Sequence, residues 1–509
     1  MNCLYSLKNV CLKYPLVTGP YDDNGKSVLA LNDLTLDIYE NEYLVVLGAN
    51  GCGKSSLGRL LAGIAQNVSG EIIYKGQKVE SYNREIFADT TLVIQEPQNQ
   101  LLMPTVTKEL AFPLENRGYD YDIIQSKVKQ TAAYFGLSKL MSACPEELSG
   151  GQTTSLAIAC AMITDPDVII LDEPDSHLDS GTKKIVDEFI RQYHGHRTII
   201  LITQYPETAR RAERVVILKE GRLTAEGKPG EILSNDQVLK DNNLKFNIIK
   251  YDYKNISRAY SDSAEAQVES DTILLSVENV SFAYKNDEYV LKNINFDLFN
   301  REKVAIIGPA GSGKTTLGLI MAGLLRLKNG AVLFDGKTLS EYPRKSLCRL
   351  VTMAMQFPER ALFEETVAKD VASGPKNIDL KKADSVTAEY LSDFELTPLK
   401  NRHPFSLSGG EKRKAALAGV FALESQIIIL DEPSAALDPN STEKLIELLN
   451  SLTDKTVVII SHDLSFIART CRRVIGLCNG SIICDLPASD FFSDDELLSK
   501  LGMASDSGF

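Results

Sequence analysis

Hydrophobic and polar residues alternate near the start of the chain in SLKNVCLKY, from residue 6, and again in SVENVSFAY, from residue 276. Each run is followed by a second alternating run, which predicts an antiparallel sheet with one exposed face. Short, continuously apolar runs come later, such as YLVVL before Gly48, VIIL before Asp172 and TIILIT near residue 200. Such runs are typical of parallel strands buried on both faces. The stretch YDIIQSKVKQTAAYFGL has helical character and predicts an inserted helical lobe.

The second half of the chain repeats the first. GANGCGKSS begins at Gly48 and GPAGSGKTT at Gly308, and the pairs LSGGQ/LSGGE and IILDEP/IILDEP follow at a nearly constant offset. The repeat predicts two α/β units, 1–234 and 273–509, joined by a linker at 235–272 that includes the polar stretch SDSAEAQVESD. For each unit we expect a mixed, mainly parallel sheet flanked by helices, an antiparallel β subdomain and an inserted helical subdomain.

Charge and composition restrict the functional class. The 55 Lys and Arg residues against 68 Asp and Glu leave a formal net charge of -13, which disfavours nucleic acid as a partner. Nine scattered cysteines without a C-x-x-C pair indicate reduced thiols in a cytosolic protein. No signal peptide and no run of 18 apolar residues is present, so we expect any membrane association to be peripheral, at the cytoplasmic face.

The strongest chemical signal is the pattern G-x-x-x-x-G-K-[ST], found between an apolar strand and a predicted helix in both units. This pattern predicts a phosphate-binding P-loop, in which backbone N–H groups surround the phosphates of ATP and the lysine reaches the β- and γ-phosphates. The predicted loop residues are Gly48, Asn50, Gly51, Gly53, Lys54, Ser55 and Ser56 in the first unit and Gly308, Ala310, Gly311, Gly313, Lys314, Thr315 and Thr316 in the second. Ser55 and Thr315 offer a hydroxyl to Mg²⁺.

Two adjacent carboxylates follow an apolar strand in each unit, as Asp172-Glu173 and Asp431-Glu432. The carboxyl edge of a parallel sheet is where ligands bind. The aspartate suits the shell of Mg²⁺, and the glutamate suits orienting or deprotonating the attacking water. The sequence therefore predicts two sites for Mg²⁺-dependent ATP hydrolysis.

The P-loops, LSGG[QE] and LDEP together resemble the ATP-binding-cassette ATPases, twice over and along nearly the whole chain. In that family two cassettes pack head to tail, so that each ATP lies between the P-loop of one and the signature of the other. The resemblance implies that the two cassettes of this chain pair, although the sequence leaves open pairing with a second chain. It also implies nucleotide contacts from the signatures, with Ser149, Gly150, Gly151 and Gln152 in one and Ser408, Gly409, Gly410 and Glu411 in the other.

By the same resemblance, Gln95 and Gln356 match the glutamine that touches Mg²⁺ and water, and Tyr14 and Tyr284 match the aromatic residue that stacks on adenine. Asp179 and Asp438 match the aspartate of the loop after LDEP. His177, in the same loop, is interpreted as a local variant outside the site.

The two predicted sites differ at one catalytic position. His462 matches the family histidine at the γ-phosphate, whereas the first unit has Gln204. Loss of charge assistance costs about 1.5–3 kcal/mol, so we expect slow hydrolysis at the Lys54 site and faster hydrolysis at the Lys314 site. Thr153 and Thr154 follow the first signature, where the family usually has basic residues. The first signature would serve the Lys314 site, so a weaker signature there argues for the opposite asymmetry.

Cys52 lies inside the first P-loop, between two glycines. Nearby amides and Lys54 predict a lowered thiol pKa, and hence alkylation that blocks ATP binding and is prevented by ATP.

The segments after the two glutamines, QEPQNQLLMPTVTKELAFPLEN and QFPERALFEETVAKDVASGP, resemble the ATPases of energy-coupling-factor transporters, which import vitamins and transition-metal ions. The resemblance implies two partners, a transmembrane scaffold subunit with arginine-bearing coupling helices and a substrate-binding membrane subunit. Glu359 matches an acid that pairs with these arginines, and Gln98 is the aligned residue in the first unit. The alternatives are the tandem ATPase of a sugar-type importer, whose second cassette is typically the degenerate one, and a soluble ribosome-associated tandem ATPase, which usually has a basic helical linker.

Overall fold

The chain divides into two compact units. The computed structural model describes residues 2–15, 27–80, 83–94, 97–148, 150–174, 188–244, 272–284, 289–309, 311–356, 361–435 and 437–503.

The first unit contains two sheets. Its strands are β1 Cys3–Pro15, β2 Ser27–Tyr39, β3 Tyr43–Leu47, β4 Val68–Tyr74, β5 Gln77–Val79, β6 Thr90–Val93, β7 Val168–Asp172, β8 Thr198–Thr203, β9 Arg214–Lys219 and β10 Arg222–Gly227. The smaller sheet is antiparallel, in the order β2-β1-β4-β5, and the larger has the order β10-β9-β3-β8-β7-β6. In the larger sheet β3, β6, β7, β8 and β9 are parallel and only β10 pairs antiparallel. The helices are Lys54–Leu61, Arg84–Asp89, Val106–Asn116, Tyr121–Tyr134, Gly150–Met162, Pro229–Leu233 and Asp236–Asp241.

The second unit repeats this plan. Its strands are β11 Ile273–Phe282, β12 Leu291–Phe299, β13 Lys303–Ile307, β14 Asn329–Phe334, β15 Lys337–Thr338, β16 Val351–Ala354, β17 Ile427–Asp431, β18 Thr456–Ile460, β19 Arg473–Cys478 and β20 Ser481–Pro487. The sheet orders are β12-β11-β14-β15 and β16-β17-β18-β13-β19-β20. The helices are Lys314–Met321, Arg344–Leu350, Val367–Asn377, Ala383–Asp393, Gly409–Phe421, Pro439–Ser451, Leu464–Thr470, Ala488–Phe491 and Asp495–Lys500.

The alternating pattern of β1 is interrupted where the sequence reads KN. The register shifts between Leu7 and Val10, and Asn9 adopts a left-handed conformation with φ 51°. Asparagine tolerates this conformation better than most residues, so the strand bulges and its apolar side chains return to the buried face. The second unit has the same bulge, at Asn279 with φ 50°.

Each unit buries two hydrophobic clusters, one on either face of its larger sheet. The central strands β3 and β13 are buried along their whole length, because helices or the smaller sheet cover both faces. The predicted α/β architecture, with its antiparallel β subdomain and inserted helices, is therefore confirmed, including a helix at Tyr121–Tyr134.

The helix Asp236–Asp241 lies within the segment that the sequence assigns to the linker, 235–272. Its Leu239, and Leu244 after it, are buried in a core of the first unit, which therefore extends to at least residue 244. Residues 245–271 lie outside the described part of the chain. Among the described residues, no helix combines the length and apolar character needed to cross a bilayer.

Candidate functional site

The two glycine-rich loops lead into a helix in the same way. Gly53, with φ 105°, and Gly313, with φ 101°, are the left-handed N-cap residues of the helices that begin at the loop lysines. A Cβ atom at Gly53 would lie 2.4 Å from the carbonyl oxygen of Ala30, so a larger residue would clash as well as being strained. The loop therefore leads directly into a helix N-terminus, which favours anions.

The loop lysines fold back over the loops that precede them. Lys54 Nζ donates to the carbonyl oxygens of Gly48 and Ala49, at 2.7 and 3.1 Å. Lys314 Nζ donates to those of Gly308 and Pro309, at 2.8 Å each. Each ammonium group is thereby held at the mouth of a loop whose backbone can contact phosphate.

A hydroxyl group and a carboxylate meet beside each loop. Thr315 Oγ1 donates to Asp431 Oδ2 at 2.7 Å, and Ser55 hydrogen-bonds the carboxylate of Asp172 in the first unit. Both aspartates are buried, and burial is the main reason that the pKa of each rises to about 6. Asp172 Oδ1 is buried and has no hydrogen-bond partner among the described residues. A buried carboxylate oxygen with no donor, next to a hydroxyl, fits a hard divalent cation such as Mg²⁺.

The neighbouring glutamates occupy a strained backbone conformation. Glu173 has φ 47° and Glu432 φ 50°, in the left-handed region that side chains other than glycine rarely adopt. Their N–H groups donate to the carbonyl oxygens of Ile202 and Ile460, at 2.8 and 2.7 Å. These bonds hold each glutamate at the end of its strand, next to the P-loop.

The carboxylates of the two glutamates have different surroundings. Glu432 accepts from Ser461 Oγ at 3.1 Å and lies 2.8 Å from His462 Nδ1. Burial alone would raise the pKa of Glu432, but His462, Ser461 and Lys314 together lower it below its ordinary value. Burial also disfavours the charged form of His462. The neighbouring Glu432 has a larger effect in the opposite direction, so the pKa of the imidazole is raised. Glu432 and His462 thus favour each other's charged form.

In the first unit the carboxylate of Glu173 lies beside the loop lysine. Glu173 Oε1 is 3.4 Å from Lys54 Nζ, and both side chains are almost completely buried. Gln204, in the place of the histidine, is also buried. An uncharged amide cannot form the ion pair that His462 forms with Glu432.

A protein-family model described as "ABC transporter" matches residues 31–176 and 291–435, which are the two repeats. The chain belongs to the ABC transporter family. A putative ABC transporter ATP-binding protein of Methanosarcina mazei is 28% identical over 99% of this chain and 92% of that protein. One from Methanosarcina acetivorans is 30% identical over 91% of this chain and 88% of that protein. A solved structure of cbiO1 from Clostridium perfringens, titled part of the ABC transporter complex cbiONQ, is 30% identical, with a TM-score of 0.40, and covers 46% of this chain and 96% of that one.

This ABC transporter protein is an ATPase with two ATP-binding cassettes, and ATP hydrolysis by the family powers transport. The second cassette's signature begins with a capped helix. Ser408 Oγ accepts from Glu411 N at 3.4 Å, while the Glu411 carboxylate accepts from Ser408 N at 2.8 Å, which forms a capping box. Gly409 and Gly410 form the first turn of this helix, so their N–H groups belong to its N-terminus. In the first cassette Gly150, Gly151 and Gln152 begin the corresponding helix.

The two tyrosines predicted to stack on adenine differ in exposure. Tyr284 is 57% exposed, and its hydroxyl group lies 3.1 Å from Thr316 Oγ1, which places the ring beside the second P-loop. Tyr14 packs against a core cluster of the first cassette, and its hydroxyl group is buried with no hydrogen-bond partner in the part of the chain that the structure describes.

Several predicted positions lie outside the described residues: Gln95, Ser149, His177, Asp179, Ala310 and Glu359, together with the side chain of Gln98. Gln356 is described, and its carbonyl oxygen accepts from Arg413. Asp438 caps the helix Pro439–Ser451, because Ser441 N and Ser441 Oγ donate to its carboxylate.

The prediction of a lowered thiol pKa at Cys52 is wrong. The side chain is buried, with Sγ beneath Gly48, and this desolvation raises the pKa of the thiol. Lys54 and local amides act in the predicted direction, but their effect is smaller than that of burial. The matched Ser312 is buried in the same way.

Three features of the cassettes were not predicted from the sequence. Arg413 donates to backbone carbonyls around Glu432, and Glu109 and Asp370 hold the segment that follows each predicted glutamine. The sequence signals Arg413 only through its replacement by Thr154 at the matched position of the first unit.

Proposed function

We propose that this ABC ATPase powers an energy-coupling-factor importer for a vitamin, a vitamin precursor or a transition-metal ion. In this proposal the chain lies at the cytoplasmic face of the membrane, binds a transmembrane scaffold subunit and acts with a separate substrate-binding membrane subunit. The observation that carries the proposal is a matched pair of exposed apolar side chains in the segments that resemble that transporter class.

Leu102 and Phe363 occupy equivalent positions in the two cassettes. They are 70% and 67% exposed, although each follows a more buried leucine. Large exposed apolar side chains at equivalent places favour an interface with another protein. We infer that they contact the coupling helices of the scaffold subunit.

Buried acids hold both segments in position. Glu109 Oε2 accepts from the backbone N–H groups of Leu102 and Met103, at 2.8 and 2.5 Å. Asp370 Oδ2 accepts from those of Phe363 and Glu364, at 2.9 Å each. A preorganised segment loses less conformational entropy on binding than a free loop would, which suits a docking surface.

The proposed chemistry is the same in outline at both ATP sites. The P-loop residues and the loop lysines bind the phosphates, and Tyr284 and Tyr14 contact adenine. Glu432, polarised by His462, accepts a proton from the water that attacks the γ-phosphate, while the bond from phosphorus to the β–γ bridging oxygen breaks to give ADP and phosphate. Glu173 has the same role in the first cassette, with Gln204 as its neutral neighbour.

Mg²⁺ would be held by Asp172 and Ser55 in one site and by Asp431 and Thr315 in the other, with Gln95 and Gln356 as the further oxygen ligands. When bound, it neutralises charge on the β- and γ-phosphates. The signature residues, Ser149 to Gln152 and Ser408 to Glu411, are proposed to contact the γ-phosphate of the opposite cassette. The two cassettes are proposed to pair within the chain.

Co-purification from the native membrane tests this proposal. We expect the tagged chain to recover a polytopic scaffold protein and a small integral membrane protein, identified by mass spectrometry. The double variant Leu102→Ser, Phe363→Ser should lose both partners and keep its basal ATPase activity. Leu324→Ser, which changes an equally exposed leucine at 61% exposure, is the matched control and should keep them.

Other partners would contradict the proposal. Recovery of two permeases with an extracytoplasmic binding protein would indicate a sugar-type importer. Recovery of ribosomal proteins or RNA would exclude transport as the function.

A further inference from the structure

Arg413 is a buried arginine close to the second ATP site. It lies on the helix Gly409–Phe421, and only 4% of the residue is exposed. Its guanidinium donates to backbone carbonyl oxygens from two distant segments. These carbonyls belong to Gln356 at 3.0 Å, Pro433 at 3.3 Å, Asp431 at 3.5 Å and Glu432 in a shorter contact. We call these contacts the arginine network.

The arginine network completes the set of hydrogen bonds around Glu432. The N–H group of this residue is held by Ile460, its carboxylate by Ser461 and His462, and its carbonyl oxygen by Arg413. The strained φ of 50° persists only if the surroundings fix it from several sides. Glu173 keeps the same conformation without a guanidinium, so we expect loss of Arg413 to leave the fold of this peptide in place. It would remove one of the donors that fix the peptide after Glu432, so the carboxylate would be held less rigidly.

The first cassette has a different residue at this position. Thr154 matches Arg413 in the repeat and is equally buried, while Glu173 has the same left-handed conformation as Glu432. A threonine hydroxyl is one donor on a short side chain, whereas a guanidinium offers five donors in a fixed fork. Thr154 cannot reproduce the arginine network.

The network also reaches the proposed docking segment. Gln356 precedes the stretch that ends at Phe363, and its carbonyl shares the guanidinium with Glu432. Arginine forms such multiple bonds with little loss of entropy, because its fork is rigid. One side chain therefore joins the strand end that carries Glu432 to the start of the segment that would bind the partner.

We propose that Arg413 is a positioning residue of the second ATP site, which fixes the backbone at Glu432 and ties it to the loop at Gln356. The first cassette, with Thr154, lacks this guanidinium, so the two sites differ in preorganisation as well as in His462 and Gln204. The inference rests on the proposed function, since it concerns the geometry of the glutamate that acts on water.

The test separates turnover from ATP binding in the full-length chain. Arg413→Met keeps an aliphatic side chain of similar length but removes every donor, and Arg413→Lys keeps the charge with a single donor centre. We expect the kcat of Arg413→Met to fall tenfold or more, with a KM for ATP within twofold, because the P-loop and Lys314 are untouched. Arg413→Lys should have an intermediate kcat.

Arg349→Met is the control for loss of an arginine outside the proposed ATP site, at an exposed position. This arginine belongs to the same cassette, and its guanidinium also donates to backbone carbonyls, those of Ile378 and Asp379. These carbonyls are not part of the proposed ATP site. We expect its kcat, normalised to the folded fraction from thermal unfolding, to stay within twofold of the unmodified chain.

Equal normalised kcat values for Arg413→Met and the unmodified chain would overturn the inference and leave Arg413 a role in stability alone. If Arg413→Met does not fold, Arg413→Lys decides, and an unchanged kcat there overturns it as well. An unmodified chain that binds ATP without hydrolysing it would overturn the proposed reaction itself, and this inference with it.

Discussion

At the level of single residues, the two aspartates of the proposed ATP sites show how burial changes the pKa of a carboxyl group. Asp172 and Asp431 are 4% and 2% exposed, and the pKa of each rises from the ordinary 3.8 to about 6. A carboxylate in that position is poorly solvated, so it gains from a cation more than an exposed carboxylate would. When nucleotide and metal are absent, the same burial makes the ionised carboxylate lower the free energy of unfolding of the protein.

Asp172→Asn should therefore stabilise the protein in the absence of nucleotide and metal. The folded state binds a proton at Asp172 more tightly than the unfolded chain does, so the free energy of unfolding falls as the pH rises from about 4 to about 6. Above pH 6 Asp172 is ionised and the whole loss of stability applies. The substitution should then restore roughly 1–3 kcal/mol of the free energy of unfolding.

Thermal unfolding at pH 5 and pH 7.5 checks this prediction. We expect the gain in Tm from Asp172→Asn to be larger at pH 7.5 than at pH 5, because part of the unmodified side chain is already protonated at the lower pH. A lower Tm for the variant at pH 7.5 would contradict the prediction. It would show that interactions in the folded protein offset the cost of burying the ionised carboxylate.

At the level of secondary-structure elements, the N-terminal ends of two helices hold the proposed docking segments in place. The helices Val106–Asn116 and Val367–Asn377 both begin with a threonine N-cap and carry an acid in the first turn, which favours the positive end of the helix dipole. Those acids, Glu109 and Asp370, turn back to hold the preceding segment. Each helix and the proposed docking segment before it thus form one structural unit.

Asp370→Ala should disrupt that unit in the second cassette. Two backbone N–H groups lose their acceptor, which we expect to lower the free energy of unfolding by about 1–3 kcal/mol. The recovery of membrane partners should fall with it, because the segment with Phe363 is no longer fixed. Denaturant titration and co-purification measure the two effects.

Glu365→Ala is the control for this variant. Glu365 is exposed and pairs only with Lys369 one helical turn away among the contacts of the described residues. Exposed ion pairs contribute little, so neither stability nor partner recovery should change measurably. Equal behaviour of the two variants would refute the role given to Asp370.

At the level of the whole chain, the two cassettes share one architecture but differ in residues of their proposed ATP sites. The second has His462 and Arg413 around its glutamate, and the first has Gln204 and Thr154 at the matched positions. We expect both differences to favour turnover at the site built on Lys314. Thr153 and Thr154 also change the first signature, which would serve the Lys314 site in the proposed pairing, and that effect argues in the other direction.

Separate substitutions of the two glutamates measure this inequality. We expect Glu432→Gln to lower the steady-state ATPase rate of the full chain by a larger factor than Glu173→Gln does. The physical reason is that Glu432 acts with a histidine that can carry charge, an assistance of roughly 10-fold or more in rate. A larger loss from Glu173→Gln would reverse the assignment of the faster site.

The duplication, the α/β architecture and the residue types of both glycine-rich loops follow from the sequence alone. These features are local: each motif is contiguous, and periodicity of apolar residues is enough to distinguish strands from helices. The family followed from the same short motifs, and the model match to both repeats confirmed it.

The pKa values of these residues and their contacts with distant segments depend on the tertiary structure. The raised pKa of Cys52 and of Asp172 depends on burial, which no short motif encodes. The contact of Arg413 with Gln356 joins positions 57 residues apart, and that with Glu432 joins positions 19 apart. Distances between separate segments are set by packing of the whole cassette, so they could not be read from a pattern along the chain.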